Sequence, residues 1–174
     1  MTEHGPAARL VEAVSEHHHE YAGEEDRPLG TYSALLAAYA VVGLGTLTAV
    51  ATRKKQARIA PGDIALVAAA TFKASRVLTK STVTSPLRAP FTRFAGVSGP
   101  SELREEIRVD GPRRALGELL TCPFCLSQWI ATTFTAGMLV APRQARAVAS
   151  VFAAVGISDF LQLAYAGAEQ AVEG

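Results

Sequence analysis

The feature that most constrains this chain is a run of 25 residues without a charged side chain, from Pro28 to Thr52. A helix of about 20 residues crosses the roughly 30 Å hydrocarbon core of a bilayer, so the run is long enough to span a membrane. A chain of 174 residues offers little soluble core in which to bury such a helix instead. Basic residues follow the run, as they usually do on the cytoplasmic side of a span: Arg53, Lys54, Lys55 and Arg58. The sequence therefore predicts a membrane helix here.

Two further apolar runs lie towards the C-terminus. Leu119 to Pro142 is uncharged, and Ala147 to Ala168 carries a single charge, at Asp159. The polar stretch between them, Ala141 to Arg146, predicts a tight turn, so the two runs are expected to form a helical hairpin. Trp129 lies early in the first run, where an aromatic residue is expected at the membrane interface.

The segment from Pro61 to Lys80 is ambiguous. It opens with residues that favour a helix start, but Lys73, Arg76 and Lys80 form a cationic stripe along its second half. A full span would put Lys73 inside the bilayer, at a cost of about 2.5–3.5 kcal/mol on insertion scales unless a partner compensates. A re-entrant helix would avoid that cost and would leave the basic loops on both sides of it in the cytoplasm. Both topologies, and the orientation of the protein, stay open at this point.

Charge divides the chain into a tail and a body. Residues 1–30 hold seven acidic and two basic side chains, a net charge of −5, whereas the remainder has a net charge of +6. We predict an acidic tail over 1–29, disordered or amphipathic, and a helical membrane domain over 30–174. The fold class expected is all-α, with three to four apolar helices. Within the polar segment 81–121, the stretch "SELREEIRVD" predicts a short solvated helix capped by Ser101.

The only two cysteines, Cys122 and Cys125, lie at the start of the apolar run that contains Trp129. With Cys122 near the N-cap and Pro123 at the first helical position, amide groups and the helix dipole would stabilise a thiolate. Cys125 would sit one turn along, where it could resolve a mixed disulfide. As a metal clip, the pair would supply half of a tetrahedral zinc site, with the rest coming from a second protomer or from the histidines at 17–19. A purely structural role at the loop–helix junction is the third reading.

Other polar residues suggest structural roles. Asp159 lies within an apolar run, and its expected partners are Lys73 or Arg76. Glu118 is expected to orient the loop before the cysteines against lipid headgroups, and Arg88 either shares in such contacts or extends to the interface as an ordinary surface arginine. Acidic residues interleave with the basic ones of the polar segment and aromatic residues are sparse, so nucleic-acid binding is not expected.

Two segments resemble a family of small bacterial membrane proteins known only as domain of unknown function 1360. They are "LVAAATFKASRVLTKSTVTSPLRAPF" and "GELLTCPFCLSQW". Lys73 and Arg76 correspond to a basic-x-x-basic pair of the family, the stretch 88–91 to an Arg-x-Pro-Phe-like element, and 117–129 to its cysteine element. Lys73 stands where an arginine is expected, and Leu126 and Gln128 also depart from the pattern. The resemblance covers about residues 62–145 and implies membrane residence without an established activity.

These observations predict a multi-pass protein of the bacterial cell membrane, and a non-enzymatic scaffold or assembly component is the favoured function. A membrane thiol–disulfide oxidoreductase that uses Cys122 and Cys125 is the first alternative, and a thiolate metal sensor is the second. No cofactor is predicted, although zinc is a candidate for the thiols. The expected partners are the lipid bilayer, a second copy, and proteins that bind the tail or the segment 81–121. A soluble assembly with its apolar helices buried between subunits is a further alternative.

Overall fold

The structure is a computed structural model of the chain, and it describes residues 27–52 and 58–173 together with five isolated positions of the tail (12, 16, 17, 20 and 21). The predicted character of the acidic tail, the histidines at 18 and 19, and the basic residues at 53–55 lie outside the described residues. Six helices and two strands lie within them: α1 Leu29–Ala51, α2 Pro61–Lys80, α3 Ser85–Arg88, β1 Thr92–Gly99, β2 Glu102–Ile107, α4 Pro112–Thr121, α5 Pro123–Val140 and α6 Pro142–Glu173.

Proline fixes where four of these helices begin. Its φ angle already suits the first helical turn, and its missing N–H would have no helical partner there. At the start of α2, Asp63 also accepts a hydrogen bond from the backbone N–H of Ala60, at 3.0 Å, which satisfies one of the free amides of the helix start. The prolines at the first position of α2, α4, α5 and α6 are Pro61, Pro112, Pro123 and Pro142.

Helix α2 is the centre of a helical bundle and packs against both α5 and α6. The core where the three helices meet is small and consists of Ala70, Met138 and Ala149. Close approach is possible because two glycines lie at the contacts. A Cβ atom built on Gly156 would lie 3.2 Å from the Cβ of Lys73, and one on Gly137 would lie 3.1 Å from the Cβ of Ala145.

The ion pairs between helices define their relative directions. Asp63 at the start of α2 binds Arg146 at the start of α6, and Lys73 farther along α2 binds Asp159 farther along α6, so these two helices are parallel. Only Ala141 separates α5 from α6, so the prediction of a turn over 141–146 is wrong beyond that residue, because Pro142 already begins α6. Helix α5 therefore runs back along both α2 and α6. The bundle has two distinct ends. One holds the α5–α6 turn and the start of α2, and the other holds the segment 81–121, which we call the cap.

Two helices, α1 and α6, are long and apolar enough to cross a membrane. None of the residues of α1 is buried within the chain, and α1 contacts the rest of the structure mainly through α4 and α5. Of the three to four apolar helices that the sequence predicts, the described residues contain two that meet this measure of length and composition.

The segment 102–107 is a strand, so the prediction of a short solvated helix capped by Ser101 is wrong. β1 and β2 form an antiparallel hairpin, in which Thr92 pairs with Ile107. Ser101 lies in the turn between the strands with φ at 60°. The all-α fold class is corrected accordingly: the chain is mostly helical, with one two-stranded sheet.

The acidic residues of β2 explain why a strand forms where the charge pattern suggested a helix. Glu102, Glu105 and Glu106 would share one face of a helix, because they are separated by three and four positions. Instead, each binds an arginine from a different element of the fold: Arg76 in α2, Arg88 in α3 and Arg93 in β1. These distant partners favour the extended backbone.

Candidate functional site

The buried centre of the cap is Arg88, whose side chain is 0% exposed. Its guanidinium forms an ion pair with Glu105 of β2 and donates to the carbonyl oxygens of Leu78 at 2.7 Å and Ser81 at 3.0 Å. It also donates to the hydroxyl of Thr84 at 2.8 Å. Arg88 therefore ties the hairpin to carbonyl groups at the end of α2 that lack helical partners. It does not extend to the surface, which was one of the two roles considered for it.

A second arginine joins α2 to the hairpin. Arg76 makes a bidentate pair with Glu102, with nitrogen–oxygen distances of 2.8 and 2.6 Å. Its guanidinium also lies 5.7 Å from the centre of the Phe72 ring, within the range of a cation–π contact. Arg76 is thus engaged by the cap, although the sequence offered it as a partner for Asp159.

Asp159 is paired with Lys73, the other partner that the sequence suggested. The Nζ of Lys73 lies 2.5 Å from the carboxylate of Asp159, and the side chains are 19% and 39% exposed. The rings of Phe72 and Phe160, each adjacent in sequence to one of these residues, stack at 5.4 Å between their centres. An apolar contact therefore accompanies the ion pair between α2 and α6.

The opposite end of the bundle carries an ion pair that sequence reasoning missed. Arg146 donates two hydrogen bonds to Asp63, at 2.7 and 2.9 Å. Asp63 precedes the apolar run of α2 and also accepts a hydrogen bond from the Ala60 amide, so its carboxylate is bound by both a guanidinium and a backbone N–H. A signal was present in the sequence, because both residues lie where an apolar run begins.

The cysteines occupy the junction of α4 and α5. Cys122 is the N-cap of α5, with Pro123 at the first helical position, as the sequence predicts. The backbone N–H of Cys125 donates to the sulfur of Cys122 at 3.2 Å. Cys122 is half-buried and Cys125 is exposed, and the ring of Phe124 between them is 86% exposed. Both thiols are therefore accessible from outside the fold.

Glu118, one turn before Cys122, is held by three protein partners. It accepts hydrogen bonds from the hydroxyl of Tyr32, from Arg27 at 3.2 Å and from Arg114 at 3.2 Å. These contacts attach the start of α1 to α4, so the carboxylate orients two protein elements. The sequence pointed to Glu118 but not to these partners.

Trp129 forms the second attachment of α1. Its ring meets that of Tyr39 edge-on, with 5.3 Å between the centres. The Tyr39 hydroxyl is 2.8 Å from the hydroxyl of Thr132 and 2.8 Å from the amide nitrogen of Gln128. This polar cluster between two apolar helices was not predicted. In the sequence, the polar hydroxyl of Tyr39 within a long apolar run was the signal for this cluster.

The ion pairs of the carboxylates limit the chemistry that the polar residues described above can perform. Within the described parts of the chain, no group of three or more His, Cys, Asp or Glu residues is arranged to hold a metal ion. The carboxylates named above each face an arginine or a lysine. Among the described residues of this site, the two thiols supply nucleophiles or two metal ligands.

Two helices that are long and apolar enough to cross a membrane indicate that the protein associates with membranes. The chain belongs to a family described as protein of unknown function (DUF1360), whose pattern matches residues 66–165. The match extends from α2 through the cap and α5 into α6, and at its C-terminal end it reaches beyond the residues 62–145 that suggested the family. α1 and the acidic tail lie outside it.

One curated relative is the sporulation protein YjcA of Bacillus subtilis (strain 168). It is 28% identical to this chain over 102 residues, which cover 57% of this chain and 86% of the relative. No solved structure matches the chain.

Proposed function

We propose that this protein is a multi-pass membrane scaffold, with α1, α2, α5 and α6 in the bilayer and the cap at its surface. The observation that carries the proposal is the unburied apolar surface of α1, where Leu36 is 69% and Val41 70% exposed. Water would oppose an exposed apolar surface of this size, and a lipid environment would not. The same holds for α6, where Val151 and Leu161 are exposed.

A full span for α2 follows from its length and its partners. Its 20 residues extend over about 30 Å, which matches the hydrocarbon core. The cost of taking Lys73 into the bilayer is offset by its pairing with Asp159. Because α2 lies between α5 and α6, it needs no apolar outer face of its own. We therefore favour the four-span topology over the re-entrant one.

The distribution of charge favours an orientation with the cap outside the cell. The end opposite the cap carries Arg58 in the connection before α2, with Arg143 and Arg146 near the start of α6, and its acidic residue, Asp63, is already bound by Arg146. Within the cap, six arginines stand against five acidic residues, and three of the arginines pair with carboxylates: Arg88 with Glu105, Arg93 with Glu106 and Arg114 with Glu118. Excess positive charge in short loops is retained in the cytoplasm.

A scaffold is favoured over an enzyme because the polar side chains serve to hold elements together. Arg76 and Arg88 attach the hairpin to α2, and Glu118 attaches α1 to α4. The hairpin and the acidic tail then provide surfaces for protein partners. The name of the Bacillus relative leads us to propose that this scaffold serves membrane assembly during a developmental process such as sporulation.

Thiol accessibility tests the topology. In cells pretreated with a reductant and a chelator, we expect a membrane-impermeant maleimide to label Cys122 and Cys125 without permeabilisation. The matched control is a Cys122→Ser, Cys125→Ser variant that also carries Gln144→Cys, since Gln144 is exposed near the opposite end. That variant should react only after permeabilisation.

The reverse pattern of labelling would overturn the proposed orientation. Labelling of the native cysteines and of Gln144→Cys on the same side would contradict the four-span topology. Recovery of the protein in the soluble fraction after lysis would contradict membrane residence altogether and would favour the soluble assembly.

Thiol–disulfide exchange is the second candidate function, and the hydrogen bond from the Cys125 amide to the Cys122 sulfur favours it. In this reaction the Cys122 thiolate attacks a disulfide of a partner protein, forms a mixed disulfide and releases one partner thiolate. Cys125 then gives up its proton and attacks the Cys122 sulfur, which releases the second partner thiolate. The partner gains two electrons, and the chain is left with a Cys122–Cys125 disulfide.

Trapping distinguishes this reaction from a structural role. If Cys122 is the attacking thiol, Cys125→Ser should accumulate mixed disulfides with partner proteins, and Cys122→Ser should not. The products would be resolved by non-reducing electrophoresis after acid quenching. Equal behaviour of the two variants, with the same loss of protein level, would eliminate the exchange reaction and leave the structural role.

A further inference from the structure

The cysteine pair offers half of a tetrahedral metal site. We propose that two copies of this protein share one zinc ion, which is bound by Cys122 and Cys125 of each copy. The proposal rests on the scaffold function and deepens it, because it names the partner as a second copy and gives the chemistry that joins the two. Zinc in structural sites is four-coordinate, and four thiolates are among its usual ligand sets.

The described residues near the thiols do not complete such a site within one copy. Among the described residues, no third metal-binding side chain lies close enough to Cys122 and Cys125 to form a group that could hold a metal ion. Glu118, one turn before Cys122, is occupied by Tyr32 and two arginines. A zinc ion on one cysteine pair would therefore retain two open positions, and a second identical pair fills them.

The surface around the thiols suits a second copy. Phe124 lies between the cysteines in sequence and is 86% exposed, which leaves its ring available for a contact beside the thiols. Cys125 is exposed beside it. A two-fold axis through the metal would bring two equivalent helix starts together, and both Phe124 rings would be covered in the same contact.

One backbone amide of α5 is already directed at a ligand sulfur. The Cys125 amide donates to the Cys122 sulfur at 3.2 Å, and this hydrogen bond holds the Cys122 side chain at the helix start. Binding of zinc displaces the thiol protons, so formation of the shared site releases protons and weakens as the pH falls. Joining two caps in this way would give the scaffold a fixed dimer at the membrane surface.

Metal content and oligomeric state of the full chain, purified in detergent under reducing conditions, test the proposal. We expect one zinc ion per two chains by elemental analysis and a dimer by light scattering. A chelator should convert the dimer to a monomer, and added zinc should restore it. With cobalt in place of zinc, the visible spectrum should show tetrahedral coordination by four thiolates.

Variants identify the ligands. Cys122→Ser and Cys125→Ser should each lead to loss of the bound zinc and of the zinc-dependent dimer, because each removes two of the four thiolate ligands of the shared site. Ser127→Ala is the matched control, since its hydroxyl donates only to a backbone carbonyl in the same turn. It should retain both metal and dimer.

Three results would overturn the shared site: chains without zinc after purification, one zinc per monomeric chain, or an intact Cys122–Cys125 disulfide found by mass spectrometry. These results concern only the metal site, because the protein has already been extracted into detergent. Membrane residence and topology are tested separately by the labelling experiment. Failure of the metal proposal is therefore distinguishable from failure of the scaffold proposal.

Discussion

Replacing Arg88 with methionine is expected to destabilise the protein by about 3–5 kcal/mol, because the change leaves a buried carboxylate without its partner. Glu105 is only 6% exposed, and Arg88 is its ion-pair partner. The substitution also removes the hydrogen bonds to the carbonyl oxygens of Leu78 and Ser81 at the end of α2. Methionine keeps much of the volume of the side chain, so the loss is one of charge and hydrogen bonding.

The matched control is Arg93→Met in the same hairpin. Arg93 pairs with Glu106, but these side chains are 69% and 55% exposed, and pairs of that kind contribute about 0–1 kcal/mol. Thermal unfolding in detergent and limited proteolysis of the hairpin would compare the two variants. If Arg88→Met unfolds at the same temperature as Arg93→Met, the buried pair does not hold the cap.

A second substitution separates the two parts of this effect. Adding Glu105→Leu to Arg88→Met removes the orphaned carboxylate, and a buried ion pair can often be replaced by apolar residues at little cost. The carbonyl groups of Leu78 and Ser81 still lack their donor, however. We therefore expect the double variant to recover part of the lost stability but not all of it.

The apolar part of the fold was accessible from the sequence because it depends on local properties. The absence of charge over 28–52 and 119–142 indicates helices without reference to any distant residue, and the proline at 123 marks a helix start. The N-cap position of Cys122 followed from the same reasoning. Each of these features is determined within a few residues along the chain.

The cap could not be predicted in the same way, because its structure depends on contacts between distant residues. The stretch 102–107 has four charged side chains in six residues, and no apolar alternation marks it as a strand. Its conformation is determined by arginines that lie 13 to 26 positions away in the sequence. A local reading of the charges favoured a helix for that reason.

The polar pairs of the bundle likewise include one that the sequence indicated and one that it did not. Asp159 could be matched to Lys73 or Arg76 because it is an isolated charge in an apolar run, where an opposite charge is required. Asp63 and Arg146 were not matched, since each lies at a helix start where solvent could satisfy it. The sequence thus indicated partners only where the environment excluded water.

Replacing Lys73 with methionine is the substitution that most directly tests the position of this pair in a bilayer. We expect a loss of about 2.5–3.5 kcal/mol, because Asp159 would be left as an unpaired carboxylate within the membrane. Asp159→Asn should cost less, since the long side chain of Lys73 can extend towards the cap end of α2 and reach the headgroups. Asparagine at 159 also retains a polar acceptor for it.

Controls and a double variant make this test specific to the membrane. Lys80→Met alters the same cationic stripe at the end of α2 and should have little effect on protein level or thermal stability. Lys73→Met combined with Asp159→Leu should recover most of the stability lost in the single variants, because no charge then remains in the apolar region. In a water-exposed site, the partly exposed pair would contribute only about 0–1 kcal/mol and the single variants would resemble Lys80→Met. Equal stability of all four variants would therefore contradict a membrane span for α2. The span would be supported if Lys73→Met is the least stable of the single variants, Asp159→Asn is intermediate and Lys80→Met is the most stable.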